Sequence, residues 1–297
     1  MTTLPVVAGV DGSPESLTAV EVAAREAALR GVPLRIVHGF IWPQMRNVPL
    51  GPSALGPQEG GLENQARQIV ADGVAAARAA APDTDVTGEV ITGSAAQALI
   101  RASGGASLLV VGDRGLGAFA GLLAGSVSIH VAAHSACPVL VVRGQTDPVA
   151  PVLLAADGSP AGDAAVGFAF EAAELRKVPL WVLHAWWNPT AEASTEMQPL
   201  IFDESVAREN EERIIANALA GWRPKFPGVD VRTQIVHGRV RRTIVEATEQ
   251  AQLAVLGSRG FGGFKGMLLG SVSQAALYHS SCPVVIVPGA TSGRAGT

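Results

Sequence analysis

Apolar residues along this chain gather in short continuous runs, separated by longer stretches in which they recur every three or four positions. That is the pattern of strands alternating with helices. Leu4–Val10 reads as a strand. Ser13 then offers a helix N-cap, with Pro14 at the first helical position, where its missing N–H costs nothing, and the helix runs to about Arg30. Leu34–Phe40 is the second strand, and a loop rich in proline and glycine follows from Ile41 to about Gly61. A helix over Leu62–Ala80 precedes a third strand near Val86–Ile91, after which Ser94-Ala-Ala-Gln97 has capping-box spacing. The third helix leads to a strand at Leu108–Val111, a glycine-rich stretch, a helix over Ser126–His134 and a last strand at Val139–Val142. These strands are nearly unbroken Val, Leu and Ile rather than alternating, so both of their faces are covered. The order predicts the α/β, Rossmann-like class: an open parallel sheet with helices on both faces and right-handed crossovers.

The pattern then repeats. Asp11-Gly12-Ser13-Pro14 returns as Asp157-Gly158-Ser159-Pro160 and His38 as His184, an offset of 146. Farther on the offset becomes 145: Gly93 to Gly238, Gly112 to Gly257, Gly125-Ser126 to Gly270-Ser271, and Cys137 to Cys282. One residue is therefore missing from the second copy, between positions 41 and 92 of the first. A period this long exceeds any solenoid unit and signals duplication of a whole domain. The expected domains are residues 1–145 and 150–290, with a tail at 291–297, and the Pro-containing segment from Gly144 to Pro151 reads as the linker.

Composition narrows the function classes. The chain has 297 residues, 48% hydrophobic and 16% charged, which suits two packed domains and excludes extensive disorder. A net charge of −4 offers no basic face for nucleic acid and no polybasic membrane anchor. The N-terminus lacks a basic leader region, and no run approaches the roughly 20 apolar residues of a membrane helix, so a cytoplasmic location is expected. The two cysteines, each in a Cys-Pro-Val sequence, read as small buried residues at strand starts rather than a disulfide framework.

Open parallel sheets bind ligands beyond the carboxyl ends of their strands, where strand order reverses. Two segments leave strand ends with suitable composition: Gly9-Val-Asp11 after the first strand and a glycine stretch after the fourth. In the first copy that stretch runs Gly112-Asp113-Arg114-Gly115-Leu116-Gly117 and on through Gly121 to Gly125-Ser126. In the second it runs Gly257-Ser258-Arg259-Gly260-Phe261-Gly262-Gly263 and on through Gly266 to Gly270-Ser271. Both fit G-x2-G-x9-G-S, leading from a strand into a helix N-terminus. Glycines admit backbone amides close to an anion, and the helix end adds partial positive charge. Ser126 and Ser271 are expected to cap that helix and to offer a hydroxyl to phosphate. The spacing differs from the Walker loop and no lysine precedes either serine, which disfavours that class of NTPase.

On these motifs each copy resembles a universal stress protein domain, and residues 4–288 resemble the tandem form of that family. The resemblance implies two five-stranded sheets of order 3-2-1-4-5, of the adenine nucleotide alpha hydrolase-like type, and ATP over the gap between strands one and four. It places Asp11 and Asp157 beside the ribose or a phosphate-bound Mg²⁺, and the backbone of Gly39 and Ala185 against adenine. The loop residues, with Ser126, Val127, Ser271 and Val272, take phosphates and ribose. Ala155 replaces Gly9 and is expected to crowd the second nucleotide. The resemblance also implies association through the fifth strands, Val139–Val142 and Val284–Val287, within one chain, and leaves a homodimer open.

The remaining polar residues carry alternatives. Asp11 and Asp157 also suit turn aspartates that satisfy local amides. Arg114 and Arg259 suit either phosphate or a surface ion pair, and Lys265 a solvated surface. His38 and His184 end apolar strands and read as satisfied structural histidines rather than bases. His130 and His134 have metal-ligand spacing, of which the second copy keeps only His279. No Ser-His-Asp arrangement or general base accompanies the loops. The expected activity is nucleotide-dependent regulation of a stress or growth response through an unidentified protein partner, with ATP ordering the glycine loop and the Ile41–Gly61 segment. Slow ATP hydrolysis or autophosphorylation is the most turnover this allows. A cAMP or adenylate sink and an ATP-dependent enzyme are the alternatives.

Overall fold

The computed structural model describes residues 3–41, 44–45, 48–49, 61–116, 124–187, 204–260 and 268–289. The chain divides into two compact units, Met1–Arg143 and Gly144–Thr297.

Unit 1 runs β1 (Val6–Gly9), α1 (Pro14–Arg30), β2 (Leu34–Phe40), a two-rung antiparallel hairpin of β3 (Gln44–Met45) and β4 (Val48–Pro49), α2 (Leu62–Ala80), β5 (Val86–Thr92), α3 (Ala95–Ser103), β6 (Leu108–Gly112), α4 (Ser126–His134) and β7 (Val139–Val142). Its parallel sheet has the order β5-β2-β1-β6-β7, with Val6 opposite both Leu34 and Leu108. The order reverses at β1. The loops after β1 and β6 therefore leave the same sheet edge side by side, as expected of an α/β ligand site. Leu34, Ile36, Leu108 and Leu109 are wholly buried, each burial contributing about 1.5–3 kcal/mol. Helix α1 starts where expected because the Ser13 hydroxyl accepts from the Ser16 amide and Pro14 follows, and it stops at Gly31 in the left-handed conformation.

Unit 2 repeats the plan with β8 (Val152–Ala155), α5 (Asp163–Arg176), β9 (Leu180–Trp186), α6 (Glu204–Ala220), β10 (Val231–His237), α7 (Val240–Ala247), β11 (Leu253–Gly257), α8 (Ser271–His279) and β12 (Val284–Val287). Its sheet order is β10-β9-β8-β11-β12, all parallel. The copies differ at the first crossover. A single 3-10 turn over Pro160–Gly162 precedes α5, so the regular helix begins later than α1 does relative to the repeated Ser-Pro. Within α5, Gly167 leaves room for the Trp222 ring, which a Cβ would meet at 2.4 Å, while Trp222 Nε1 donates to Asp163 at 2.8 Å. No described helix is long and apolar enough to cross a membrane.

The segment that reads as a linker is fastened to unit 2. Gln145 donates its amide to the Ser281 carbonyl at 3.2 Å, and Gln252 Nε2 donates to the carbonyls of Pro148 and Ala150 at 2.9 and 2.5 Å. Gly144 has φ +63°, and a Cβ there would lie 1.8 Å from the Ser281 carbonyl oxygen. Gly144→Ala is therefore expected to destabilise the second unit by about 1–3 kcal/mol, read as a lowered denaturation midpoint at unchanged m. An unaltered midpoint would show that the segment is not held there.

Candidate functional site

Asp11 leaves the end of β1 and reaches the glycine loop. Its Oδ1 accepts from the Ser13 amide at 3.0 Å and the Ser13 hydroxyl at 2.6 Å, while Oδ2 accepts from the Leu116 amide at 2.9 Å. A Cβ on Gly115 would stand 2.2 Å from that same Oδ2. The second unit repeats the fit: Asp157 Oδ1 accepts from the Ser159 amide at 2.9 Å, and a Cβ on Gly260 would lie 2.3 Å from Asp157 Oδ2. The second glycine of each motif is thus required by the protein's own aspartate, a reason separate from access for a ligand. Burial raises the Asp11 pKa, yet the hydrogen bonds from the Ser13 side chain and amide, the Leu116 amide and Ser16 outweigh it and hold it below the usual carboxylate value.

The loop's far end is built alike in both units. Gly125 and Gly270 are the N-caps of α4 and α8, and neither helix has a side-chain cap. Ser126 and Ser271 sit one position inside, so the expected serine caps do not form; a hydroxyl at the first helical position does not lie where it can accept from the N2 or N3 amide. The Gly125 amide donates to the Asp113 carbonyl at 2.6 Å and that of Gly270 to the Ser258 carbonyl at 2.8 Å, closing each loop. Ser128 Oγ donates to the Gly125 carbonyl at 2.8 Å and Ser273 Oγ to the Gly257 carbonyl at 2.7 Å. These bonds brace the turn and leave the leading amides of Ser126, Val127, Ser271 and Val272 without an intrahelical acceptor. Elsewhere the chain caps with serine, as Ser13 and Ser94 do for α1 and α3.

In unit 2 these elements border a cavity of about 1520 Å³. Asp157, Gly257, Arg259, Gly260, Gly270, Ser271 and Val272 form one end, and Ala185, Trp186 and His237 the other. Ser159 lines it too, and its hydroxyl is buried with no hydrogen-bond partner. Gly39, at the end of β2, packs so closely on α3 that a Cβ would approach the Cα of Ala95 to 2.6 Å. A Cβ on Gly9 would lie 2.8 Å from Leu99; in the second copy, Ala155 and Ile244, the counterpart of Leu99, both border the cavity. Gly112 ends β6, with Asp113 and Arg114 following. Gly117, Phe261, Gly262 and Lys265 lie outside the described residues, as does most of the Ile41–Gly61 segment.

The strand-two histidines have structural partners. His38 Nδ1 donates to the Val10 carbonyl at 2.8 Å and His184 Nδ1 to the Ala156 carbonyl at 2.7 Å, tying adjacent strand ends. In unit 2, His184 Nε2 also meets Glu211 Oε2 at 2.9 Å, whereas the corresponding residue of unit 1 is the buried Ala66. Trp186 stacks on His237 with ring centres 4.4 Å apart. Glu211, Trp186 and His237 escape a reading based on what the copies share, because the signal is where they differ. Arg114 lies 3.6 Å from Asp113, an ion pair; its counterpart Arg259 has Ser258 in that place. His134 Nδ1 donates to the His130 carbonyl at 2.8 Å, and no cluster of three metal-ligating residue types occurs among the described residues. Burial pushes the Cys137 thiol up to about 12, and Cys282 is wholly buried.

A model of the universal stress protein family matches residues 3–143 and again 149–288. A universal stress protein of Mycobacterium tuberculosis (strain H37Rv) is 35% identical over 295 residues, covering 95% of this chain and 96% of that one. One from Mycolicibacterium smegmatis is 37% identical over 292 residues, with 95% and 96% covered. Among solved structures, a universal stress protein from Archaeoglobus fulgidus shares the fold at a TM-score of 0.69 and 21% identity, covering 98% of both chains.

Asp11→Asn is expected to cost about 1–3 kcal/mol and to speed hydrogen exchange at the Leu116 amide. Because the folded Asp11 pKa is depressed, its contribution is present at neutral pH and is lost as pH falls through the carboxylate range toward the folded value. The variant's deficit in unfolding free energy should accordingly shrink between about pH 5 and pH 2. A deficit constant with pH would separate the carboxylate from the loop.

Proposed function

Taking as premise that the chain belongs to the universal stress protein family, we propose that each unit binds one adenine nucleotide, ATP foremost, and that occupancy regulates what the protein engages. The observation that carries this reading is the uncapped start of α4 and α8, placed at the end of an aspartate-held glycine loop. A capping side chain would have satisfied one of those amides; its absence in both copies suits an anion that accepts from them in its place. In unit 2 the helix start opens on a cavity large enough for a nucleotide, beside the orphaned Ser159 hydroxyl.

Gly112, Gly115, Gly125, Ser126 and Val127 in unit 1, and Gly257, Gly260, Gly270, Ser271 and Val272 in unit 2, would hold the phosphates and ribose. Gly39 and Ala185 would face the base. Mg²⁺ would arrive with ATP and neutralise phosphate charge. Asp11 suits the loop better than that ion, since its two oxygens already accept three hydrogen bonds. His38 and His184 hold backbone carbonyls through Nδ1, which fits a binding and signalling role with slow turnover at most.

The full-length chain, freshly purified, is expected to release adenine nucleotide detectable by mass spectrometry, and millimolar ATP should raise its melting temperature. At a hundredfold excess over Kd a site gains about 2.7 kcal/mol. Ser271→Pro deletes the leading amide of α8 at the one helical position that tolerates proline, and should weaken ATP about tenfold in unit 2. No released nucleotide together with no thermal shift would overturn the reading.

A further inference from the structure

The two sites are not copies of one another at the end away from the glycine loop. In unit 1 the turn from β5 into α3 reads Thr92-Gly93-Ser94-Ala95-Ala96-Gln97; in unit 2 the turn from β10 into α7 reads His237-Gly238-Arg239-Val240-Arg241-Arg242. Resting on the nucleotide reading above, we propose that the unit 2 cavity recognises a nucleotide carrying a second phosphoryl group, set apart from the phosphates on the glycine loop and received by Arg239 and Arg241.

The arginines stand in the wall of the cavity with their side chains exposed to solvent. Arg239 occupies the N-cap of α7 and makes no side-chain cap, where unit 1 has a serine that accepts from the Gln97 amide. Arg239 and the two arginines of the first turn put cations at the positive end of a helix, an arrangement that stabilises neither. Arg242 is relieved by Glu246. Arg239 and Arg241 line the cavity and have no carboxylate partner among the described residues. The carboxylates of the same cavity are otherwise engaged: Asp157 by the Ser159 amide, Asp163 by Trp222 and Glu211 by His184. Arg259, at the glycine-loop end, is likewise unpaired among the described residues. Cationic side chains therefore stand at both ends of one cavity, while its carboxylates are hydrogen-bonded to other groups of the protein.

Spacing and shape fit a bis-phosphorylated ligand. In the order β10-β9-β8-β11, the ends of β11 and β10 lie three strand spacings apart, about 14 Å, and arginine side chains shorten the gap. Between them Trp186 and its stacked partner His237 form an aromatic wall, where unit 1 has Phe40 and Thr92. An aromatic face beside paired guanidinium groups recognises a base together with phosphate.

The test is calorimetric titration of the full-length chain with ADP and with ADP phosphorylated at its ribose 2′ or 3′ oxygen. One site is expected to bind at least one of the phosphorylated forms tenfold or more tightly than ADP. In the double variant R239S/R241A, which restores the unit 1 character and a capping serine, that preference should fall below threefold. R239K/R241K should keep most of it. R232S, a charge removed from the preceding strand β10 and outside the cavity, should keep all of it. Binding of ADP with no preference for either phosphorylated form, or a preference that survives R239S/R241A, overturns this inference alone. Failure of all three nucleotides to bind overturns it together with the nucleotide reading.

Discussion

A single carboxylate in each unit decides the shape of the site. Asp11, fixed at the end of β1 by its own turn, reaches across to the amide after Gly115, so two loops from neighbouring strands become one body. The contact is possible only because residue 115 lacks a Cβ, and the Asp157–Gly260 pair shows the same dependence. Beyond the loop, α4 and α8 begin from the N-caps Gly125 and Gly270 with no side-chain cap on their leading amides. Glycine at these positions serves rigidity as much as access. Loops rich in glycine are otherwise costly to order, and the aspartate offsets that cost with hydrogen bonds to a charged group.

Duplication gave the chain two such frames, and divergence has worked on what surrounds them. The shared parts are those the frame needs: the aspartate, the spaced glycines, the serine that braces the helix start and the histidine tying neighbouring strand ends. The parts that differ stand around the unit 2 cavity, where Glu211 replaces a buried alanine, tryptophan and histidine replace phenylalanine and threonine, and arginines replace a capped helix start. Changes of this kind leave strand pairing and core intact, since none falls on the buried Val, Leu and Ile of the sheet. They alter only what the cavity can hold.

Much of this is legible in the sequence. Unbroken apolar runs mark strands covered on both faces, and the observed β7 and β12 coincide with Val139–Val142 and Val284–Val287. Ser13-Pro14 and Ser94 mark helix starts that the structure keeps. Local chemistry sufficed there because caps and periodicity act over a few residues. It misled at Ser126 and Ser271, where a serine before a helix looked like a cap; the glycine preceding it takes that place because the loop closes on its amide.

The sequence alone therefore determined the element order, the duplication, the parallel sheet and the glycine loops, all of which follow from periodicity and short-range stereochemistry. Only the tertiary structure decided that Asp11 meets an amide 105 residues away, that Glu211 faces His184, and that Arg239 and Arg241 share a cavity with the glycine loop. The reason is physical. Which side chains converge at a strand end depends on sheet order and on the angle at which helices pack across it, and neither is written in any local stretch of residues.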